Sequence, residues 1–147
     1  MLNPSLPAED YSLVIRTAFT DDAAWDCVCQ LIQLPQTDDN FHASVECISD
    51  SSLAGLTPQK AASVLPAGSR RPFVFLVDSR TIADPEHPVL VVDLVDEPGR
   101  FFRVIPSEAW GIENNLRLAN MDFNEFLQSL AEDSVFRGFP QVGRREN

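Results

Sequence analysis

The pattern of apolar and polar positions predicts a strand followed by a helix near the start of the chain. Residues 12–19 (SLVIRTAF) are rich in β-branched side chains, which favour a strand. Residues 20–22 (TDD) are types that cap helices and place carboxylates at the positive end of a helix. Apolar residues then recur at spacings of three and four across residues 24–32, so we predict an amphipathic helix that ends before Pro35.

Two shorter elements are predicted next. Residues 41–48 (FHASVECI) alternate between apolar and polar side chains, which indicates a half-exposed or edge strand. Thr57 and Pro58 have the residue types of an N-cap and a first helical position. We therefore predict a short helix that begins there and ends near residue 65.

Three strands are predicted in the second half of the chain. Residues 72–78 (PFVFLVD) and 88–95 (PVLVVDLV) are almost continuously apolar, which is typical of strands covered on both faces, and we place them at the centre of the sheet. Residues 79–87 are polar and connect these two strands. A turn signal at residues 96–99 (DEPG) leads into a third strand at residues 100–105, and a hairpin is the simple connection.

The chain is predicted to end in a helix. Residues 106–110 predict a short turn or helix, and residues 111–120 (GIENNLRLAN) show no clear helical stripe, so we interpret them as a loop. Asp122 and Glu125 have the spacing of a capping box, which predicts the start of the last helix.

These elements predict an α/β (α+β) fold in the order β-α-β-α-β-β-β-α. The expected architecture is a mixed sheet of about five strands with helices packed on it. A length of 147 residues fits one globular domain over residues 1–147. We expect residues 1–10 and 141–147 to be flexible tails.

The charge of the chain restricts its partners. Eleven basic residues against 22 acidic ones give a net charge of −11, which disfavours nucleic acids and anionic membrane surfaces. The predicted partner is a neutral or cationic protein or a small organic molecule. No apolar run approaches the roughly 18 residues of a membrane span, and no secretory signal is visible, so we predict a cytoplasmic protein.

Signatures of cofactor and metal sites are absent from the sequence. There is no glycine-rich phosphate loop, and the two histidines do not have metal-ligand spacing, so we predict no cofactor and no metal. Three cysteines cannot build a full disulfide framework, which fits a reducing compartment. Cys27 and Cys29 would point about 200° apart on a helix, so we interpret the cysteines as small packing residues.

The candidate chemistry lies in a concentration of carboxylate, guanidinium and amide side chains. Asp93 and Arg103 interrupt apolar strands, and a buried charge there needs a partner or a shifted pKa. We predict Asp93, Arg103 and Glu108 as candidate catalytic residues; the alternative for the first two is a structural charge pair or a strand end that reaches solvent. The candidate binding residues, which offer donors, acceptors or an aromatic surface, are Arg16, Trp110, Glu113, Asn114, Asn115 and Asn120.

The predicted hairpin decides whether Asp93 and Arg103 meet, because side chains alternate between the two faces of a sheet. A three-residue loop at residues 97–99 sets Asp93 opposite Arg103. A two-residue or four-residue loop sends Arg103 to the other face, where Glu108 and Glu113 follow closely enough to serve as its partner.

Three segments carry a resemblance to a known family: residues 13–25 (LVIRTAFTDDAAW), 87–110 (HPVLVVDLVDEPGRFFRVIPSEAW) and 112–126 (IENNLRLANMDFNEF). The chain resembles a family of short uncharacterised microbial proteins, a domain of unknown function, from about Leu13 to Phe139. No activity comes with this resemblance. It implies that the candidate residues other than Trp110 lie in the family's motifs, together with Asp22, Trp25 and Asp122. A fainter likeness, confined to the two hairpin strands followed by MDFNEFL, is to SUKH-type immunity proteins, small acidic binders that neutralise toxins.

Two functional hypotheses follow. The first is a small acidic binding protein, immunity-like or regulatory, that presents carboxylates and loop amides to a cationic or neutral partner. The alternative is a cofactor-free isomerase, cyclase or lyase, with Asp93 or Glu108 as general acid or base, Arg103 stabilising negative charge, and Asn114 or Asn115 orienting the substrate. Both depend on these side chains converging on one recess. The oligomeric state stays open.

Overall fold

A six-stranded mixed sheet forms the centre of the structure, a computed structural model that describes residues 12–34, 43–65, 69–117, 121–130 and 132–138. Its strands are β1 (Ser12–Arg16), β2 (Val45–Ile48), β3 (Phe73–Val77), β4 (Val89–Asp93), β5 (Phe101–Val104) and β6 (Val135–Phe136). Their order across the sheet is β2-β1-β3-β4-β5-β6. The tails predicted at residues 1–10 and 141–147, and candidate residue Asn120, lie outside the described residues.

The strand pairing confirms the predicted mixed α/β class. β1 runs parallel to both of its neighbours, β2 and β3. β4 is antiparallel to β3 and β5, and β6 is parallel to β5. The sheet has six strands where the sequence predicted about five, because β6 consists of two residues and carries no periodic pattern of its own.

Four α-helices and three 3-10 helices connect the strands in the described part of the chain. The α-helices are α1 (Asp22–Gln33), α2 (Ser79–Ala83), α3 (Ala109–Arg117) and α4 (Phe123–Leu127). The 3-10 helices span Ser51–Leu53, Pro58–Val64 and Pro106–Glu108. The short helix predicted to begin at Pro58 is therefore present, as a 3-10 helix.

Both faces of the central strands are covered by different elements. On one side, the helical face, residues of α1, α3 and α4 pack against alternate strand residues such as Phe75, Val91 and Phe102. On the other side, the opposite face, Leu53 and the 3-10 helix Pro58–Val64 cover the intervening strand residues. Because both faces are buried, these strands are near-continuously apolar.

Local capping signals predicted two helices correctly. The Asp21 carboxylate accepts a hydrogen bond from the backbone N–H of Ala24 at 3.0 Å, and α1 ends at Gln33, before Pro35. Asp122 and Glu125 form the predicted capping box at the start of α4. These features depend on residues within one turn of each other, which explains why the sequence alone indicates them.

The prediction of a loop over residues 111–120 is wrong, because α3 includes residues 111–117. Ile112 and Leu116 are one helical turn apart, and both are buried against the helical face of the sheet. Asn114, by contrast, is exposed. Tertiary burial of the apolar residues therefore outweighs the weak helix propensity of the asparagines.

The polar connection predicted at residues 79–87 contains the short helix α2. Asp78 and Thr81 form a capping box at its start, with the Asp78 carboxylate accepting from the backbone N–H of Thr81 at 3.1 Å. Thr81 is fully buried, and its hydroxyl donates to the carbonyl of Pro88 at 2.8 Å. This helix closes the connection between β3 and β4 tightly.

The register between β4 and β5 is not the one that a two-, three- or four-residue hairpin loop would give. Leu90, not Asp93, lies opposite Arg103. Asp93 faces Arg100 instead, with its N–H donating to the Arg100 carbonyl at 2.8 Å, so residues 94–99 form a longer loop. The side chains of Asp93 and Arg103 consequently point to opposite faces of the sheet.

The Asp93 carboxylate determines this longer loop. It is 2% exposed, and one of its oxygens accepts from the backbone N–H groups of Val95 and Asp96 at 3.0 and 3.2 Å. The other oxygen accepts from the N–H of Glu97 at 3.1 Å and from the Arg100 guanidinium at 2.8 Å. Four hydrogen bonds thus wrap the loop around one buried charge, which a sequence argument centred on the Pro-Gly turn does not anticipate.

Two contacts dock this loop on its surroundings. The Arg100 guanidinium lies 4.9 Å from the ring centre of Phe123 and donates to the side-chain oxygen of Asn124 at 2.8 Å. Gly99 has a φ of +98°, and a Cβ at this position would lie 3.2 Å from the Cα of Gln59. The loop therefore joins α4 on the helical face to the 3-10 helix on the opposite face.

We expect Asp93→Asn to lower the free energy of unfolding by about 3 kcal/mol, because the amide leaves Arg100 without its buried partner and turns a donor toward the N–H of Glu97. Asp96→Asn is the matched control, since it makes the same change in the same loop at an exposed carboxylate. We expect that control to change the free energy by less than about 0.5 kcal/mol. Urea denaturation measures both values, and equal losses would contradict the role given to Asp93.

The same carboxylate makes stability depend on pH. Burial by itself raises the pKa of Asp93, but hydrogen bonds from the N–H groups of Val95 and Glu97 and from Arg100 outweigh burial and lower that pKa. The stabilisation is then complete above the unfolded-state pKa of about 3.9 and is lost as pH falls through the lower native value. We expect the stability difference between wild type and Asp93→Asn to be constant from about pH 5 to 7 and to shrink below about pH 4 in urea titrations.

Candidate functional site

Arg16, the last residue of β1, lies at the edge of the sheet where β1, β2 and β3 end. Its side chain is 5% exposed, and it donates to the Asp22 carboxylate at 2.6 Å and to the Ser49 hydroxyl at 3.3 Å. The guanidinium also lies 4.5 Å from the ring centre of Phe19. These contacts join β1 to the start of α1 and to the segment after β2, which gives this predicted binding residue a structural task.

Arg103 pairs with Asp78 at the same edge. Its two terminal nitrogens donate to the two carboxylate oxygens of Asp78 at 3.0 and 2.8 Å, and one of them also donates to the carbonyl of Pro88 at 3.0 Å. This bidentate pair joins β5 to the end of β3 across the intervening strand β4. The sequence left Asp93, Glu108 and Glu113 open as partners of Arg103, and the structure pairs it with Asp78 instead.

The Asp78 carboxylate is both a structural group and an accessible one. Burial opposes its ionisation, but hydrogen bonds from Arg103 and from the N–H of Thr81 outweigh burial and lower its pKa. Its side chain is nevertheless 28% exposed. An ionised carboxylate that is held rigidly by neighbours and still meets solvent can accept a further hydrogen bond from a ligand.

A cavity of about 250 Å³ opens beside Asp78. We call it the strand-end cleft. Its lining residues come from the ends of β1 and β3, from the segment before the 3-10 helix Pro58–Val64, and from β4: Thr17, Ala18, Gly55, Leu56, Thr57, Pro58, Asp78, Ser79 and Leu90. None of these lining residues is basic.

The connections of the sheet explain why a cleft forms at this place. β1 leads into α1 on the helical face, whereas the chain between β2 and β3 crosses the opposite face through two 3-10 helices. The connections that leave the neighbouring strands β1 and β2 therefore diverge to opposite sides of the sheet. In open α/β sheets, ligands bind outside the carboxyl ends of the strands at such a point.

Hydroxyl groups supply most of the other polar chemistry of the strand-end cleft. The Thr17 hydroxyl donates to the carbonyl of Val77 at 3.1 Å, which leaves its oxygen lone pairs as acceptors. Thr57 makes no capping hydrogen bond through its side chain, and Ser79 is exposed. Each hydroxyl can therefore accept a hydrogen bond from a ligand.

The structure does not bring the predicted catalytic residues together. Asp93 lies with Arg100 beside a separate cavity of about 150 Å³, at the end of β4 far from the strand-end cleft. Arg103 lies on the other face with Asp78. Glu108 is half-buried, its carboxyl group faces Gly138, and burial raises its pKa.

The predicted binding residues on α3 have mainly structural contacts. Glu113 is 6% exposed and accepts from the Ser12 hydroxyl at 3.3 Å and from the N–H of Ser44 at 3.2 Å. Asn115 donates to the carbonyl of Gly111 within its own helix at 2.9 Å. Trp110 is half-buried against the core of the helical face.

Asp78 and the hydroxyl residues around it are not among the candidate site residues predicted from the sequence. Thr17, Thr57 and Ser79 are common residue types at strand and helix ends, so no spacing distinguishes them. One available signal was that Asp78 directly follows a strand covered on both faces, since ligand sites form at the carboxyl ends of such strands. This signal identifies a site only when the order of the strands in the sheet is known, and the sequence alone does not give that order.

Across the described residues, no group of three or more His, Cys, Asp and Glu side chains is arranged to hold a metal ion. The predicted absence of a metal and a cofactor stays a prediction. No helix within the described ranges combines the length and apolar character needed to cross a membrane.

We expect Arg103→Lys to lower the free energy of unfolding by about 1–2 kcal/mol, because one ammonium group cannot reproduce two parallel hydrogen bonds to Asp78. Arg80→Lys is the matched control, since Arg80 is exposed and lies 3.9 Å from the Asp84 carboxylate. The control should change the free energy by less than about 0.5 kcal/mol. Losses of the same size in urea denaturation would contradict a structural role for the bidentate pair.

Comparison with known proteins identifies the family of the chain. No curated protein matches it. One family model matches residues 11–139, and this match confirms the predicted membership of an uncharacterised family. The likeness to SUKH-type immunity proteins finds no support in the match and stays a prediction. The chain belongs to the family described as Domain of unknown function (DUF6924).

Proposed function

We propose that this protein is a small acidic binding protein whose strand-end cleft receives a cationic or neutral hydrogen-bond donor from its partner. The observation that carries the proposal is the composition of the cleft. Its polar side chains are the Asp78 carboxylate and the hydroxyls of Thr17, Thr57 and Ser79. Such a lining accepts hydrogen bonds readily and disfavours an anionic group.

The size of the cleft supports one inserted side chain of a protein partner. A volume of about 250 Å³ lies just below the range of roughly 300–1,000 Å³ typical of small-molecule sites. A guanidinium, ammonium or amide group reaching into the cleft would meet Asp78 at its wall. Because Arg103 already neutralises part of that charge, a neutral amide is compatible with the site as well as a cation.

Net charge supports the cationic preference at longer range. A charge of −11 attracts basic partners before contact and repels acidic ones, and salt screens both effects. The odd number of cysteines supports a reducing compartment, and we propose the cytoplasm as the location of the protein.

We prefer binding to catalysis because the candidate catalytic groups do not line one cavity. The enzymatic alternative needs an acid or base and Arg103 on one substrate. Asp93 lies on the helical face with both carboxylate oxygens hydrogen-bonded, and Glu108 does not line the strand-end cleft. The alternative therefore lacks a shared recess among the described residues.

The proposal predicts selective binding of small donor probes. We expect N-acetyl-arginine amide to shift the NMR amide signals of Ala18, Gly55 and Ser79, with a Kd on the order of 1 mM for a single inserted group. N-acetyl-glutamine amide should shift the same signals, and N-acetyl-glutamate amide should not. Raising the salt concentration to about 0.15 M should weaken binding of the arginine probe more than binding of the glutamine probe, because only the arginine probe is charged.

A pair of matched variants, one of which fills the cleft, tests the same proposal. Ala18→Leu places a larger side chain in the cleft and should weaken binding of the arginine probe at least about tenfold. Ala62→Leu makes the same change at an exposed site on the 3-10 helix, outside the lining residues, and should leave the Kd within about twofold. Shifts scattered over the surface, or equal binding of the glutamate probe, would overturn the proposal.

A further inference from the structure

Two cysteines that are distant in sequence pack against the same part of the core. Cys29 is on α1, Cys47 is on the edge strand β2, and both pack on the core of the helical face while remaining partly exposed. Gln33 follows Cys29 by one helical turn, and its side-chain nitrogen lies 3.9 Å from the Cys47 sulfur. Residues one turn apart share a helix face, so this contact places Cys47 under the face that carries Cys29.

Each of the two thiols affects the pKa of the other. A hydrogen bond between Cys29 and Cys47 raises the pKa of Cys29, and burial and the charge of Cys47 raise it further. The same hydrogen bond lowers the pKa of Cys47, against burial and the charge of Glu46, which act in the opposite direction. Asp26 and Arg16 also act on Cys29, the first raising and the second lowering its pKa. Cys47 is thus the better nucleophile of the pair at neutral pH.

We propose that Cys29 and Cys47 form a reversible disulfide when the protein meets a hydroperoxide. The geometry carries this proposal: both cysteines are partly exposed on the helical face, and the Gln33 contact places Cys47 beside the part of α1 that carries Cys29. Cys27 cannot take part, because it is exposed on the outer side of α1, about 200° around the helix from Cys29.

The chemistry proceeds in two balanced steps. The Cys47 thiolate attacks the O–O bond of hydrogen peroxide, takes up one oxygen as a sulfenic acid, and releases hydroxide, which becomes water on protonation. The Cys29 thiol then attacks the Cys47 sulfur, forms the S–S bond, and releases a second water molecule. Overall, two thiols are oxidised and one peroxide is reduced to two waters. A dithiol such as dithiothreitol reverses the reaction.

The disulfide would tie α1 to β2 and close the loop between residues 29 and 47. A loop of this length predicts a rise in Tm of roughly 5–10 °C on oxidation. In a reducing compartment such a bond forms transiently, under oxidant, and does not conflict with free thiols in the resting protein. None of the residues that line the strand-end cleft is a cysteine, so this site is independent of the proposed function.

The test is oxidation of the full chain with hydrogen peroxide, followed by alkylation with iodoacetamide and peptide mass mapping. We expect two of the three thiols to resist alkylation, a linked peptide pair containing Cys29 and Cys47, and full recovery with dithiothreitol. Cys27→Ser should form the same disulfide with unchanged yield. In the wild type, Cys47 should react roughly tenfold faster than Cys27.

Single substitutions of Cys29 and of Cys47 test the role of each thiol separately. Cys29→Ser should stop at the sulfenic acid of Cys47, which dimedone traps, and should lose the rise in Tm. Cys47→Ser should lose both the disulfide and the fast reaction, while circular dichroism checks that each variant is folded. The proposal is overturned if the linked peptides join Cys27 to Cys29 or join two chains, or if Cys27 reacts as fast as Cys47.

Discussion

Burial of the central strands on both faces is the constraint that organises the charges of this protein. A charged side chain in the middle of β1, β3 or β4 would lie in an apolar core without water. Arg16 and Asp93 are accordingly the last residues of their strands, and Asp78 follows β3 directly. Each then binds a partner of opposite charge, which also ties separate elements together: β1 to α1, β4 to the next loop, and β3 to β5.

Much of the fold was predictable because its determinants are local. Helix caps act within one turn, and apolar runs mark strands that are covered on both faces. The failures have the opposite cause. α3 is helical because Ile112 and Leu116 are buried by distant parts of the chain, and the register of β4 and β5 follows from an Asp93 carboxylate that gathers backbone N–H groups around it. Neither effect is visible in a periodic pattern, and β6 is too short to have one.

The candidate site was predictable only in part, and the reason is chemical. Asp93, Arg103 and Glu113 are predicted as site residues because buried charges are rare outside functional sites. In the structure, however, these side chains bind mostly to other groups of the same chain, so their role is structural. The strand-end cleft is lined instead by one carboxylate, hydroxyls and small residues. Such residue types are ordinary at the ends of strands, so only the order of the strands reveals that they face one cavity. The pairing of Cys29 with Cys47 was missed for the same reason, since it depends on how α1 lies on β2.

The two outer strands of the sheet have a consequence for self-association. β2 spans four residues and β6 spans two, while the longest and most apolar strands lie inside the sheet. An outer strand offers its unpaired N–H and C=O groups as a template on which another chain can add, and a short one offers few of them. Phe73–Val77, a segment whose composition would favour amyloid-like stacking if it were exposed, is enclosed by β1 and β4. The strand order therefore protects the native chain against aggregation through its own core.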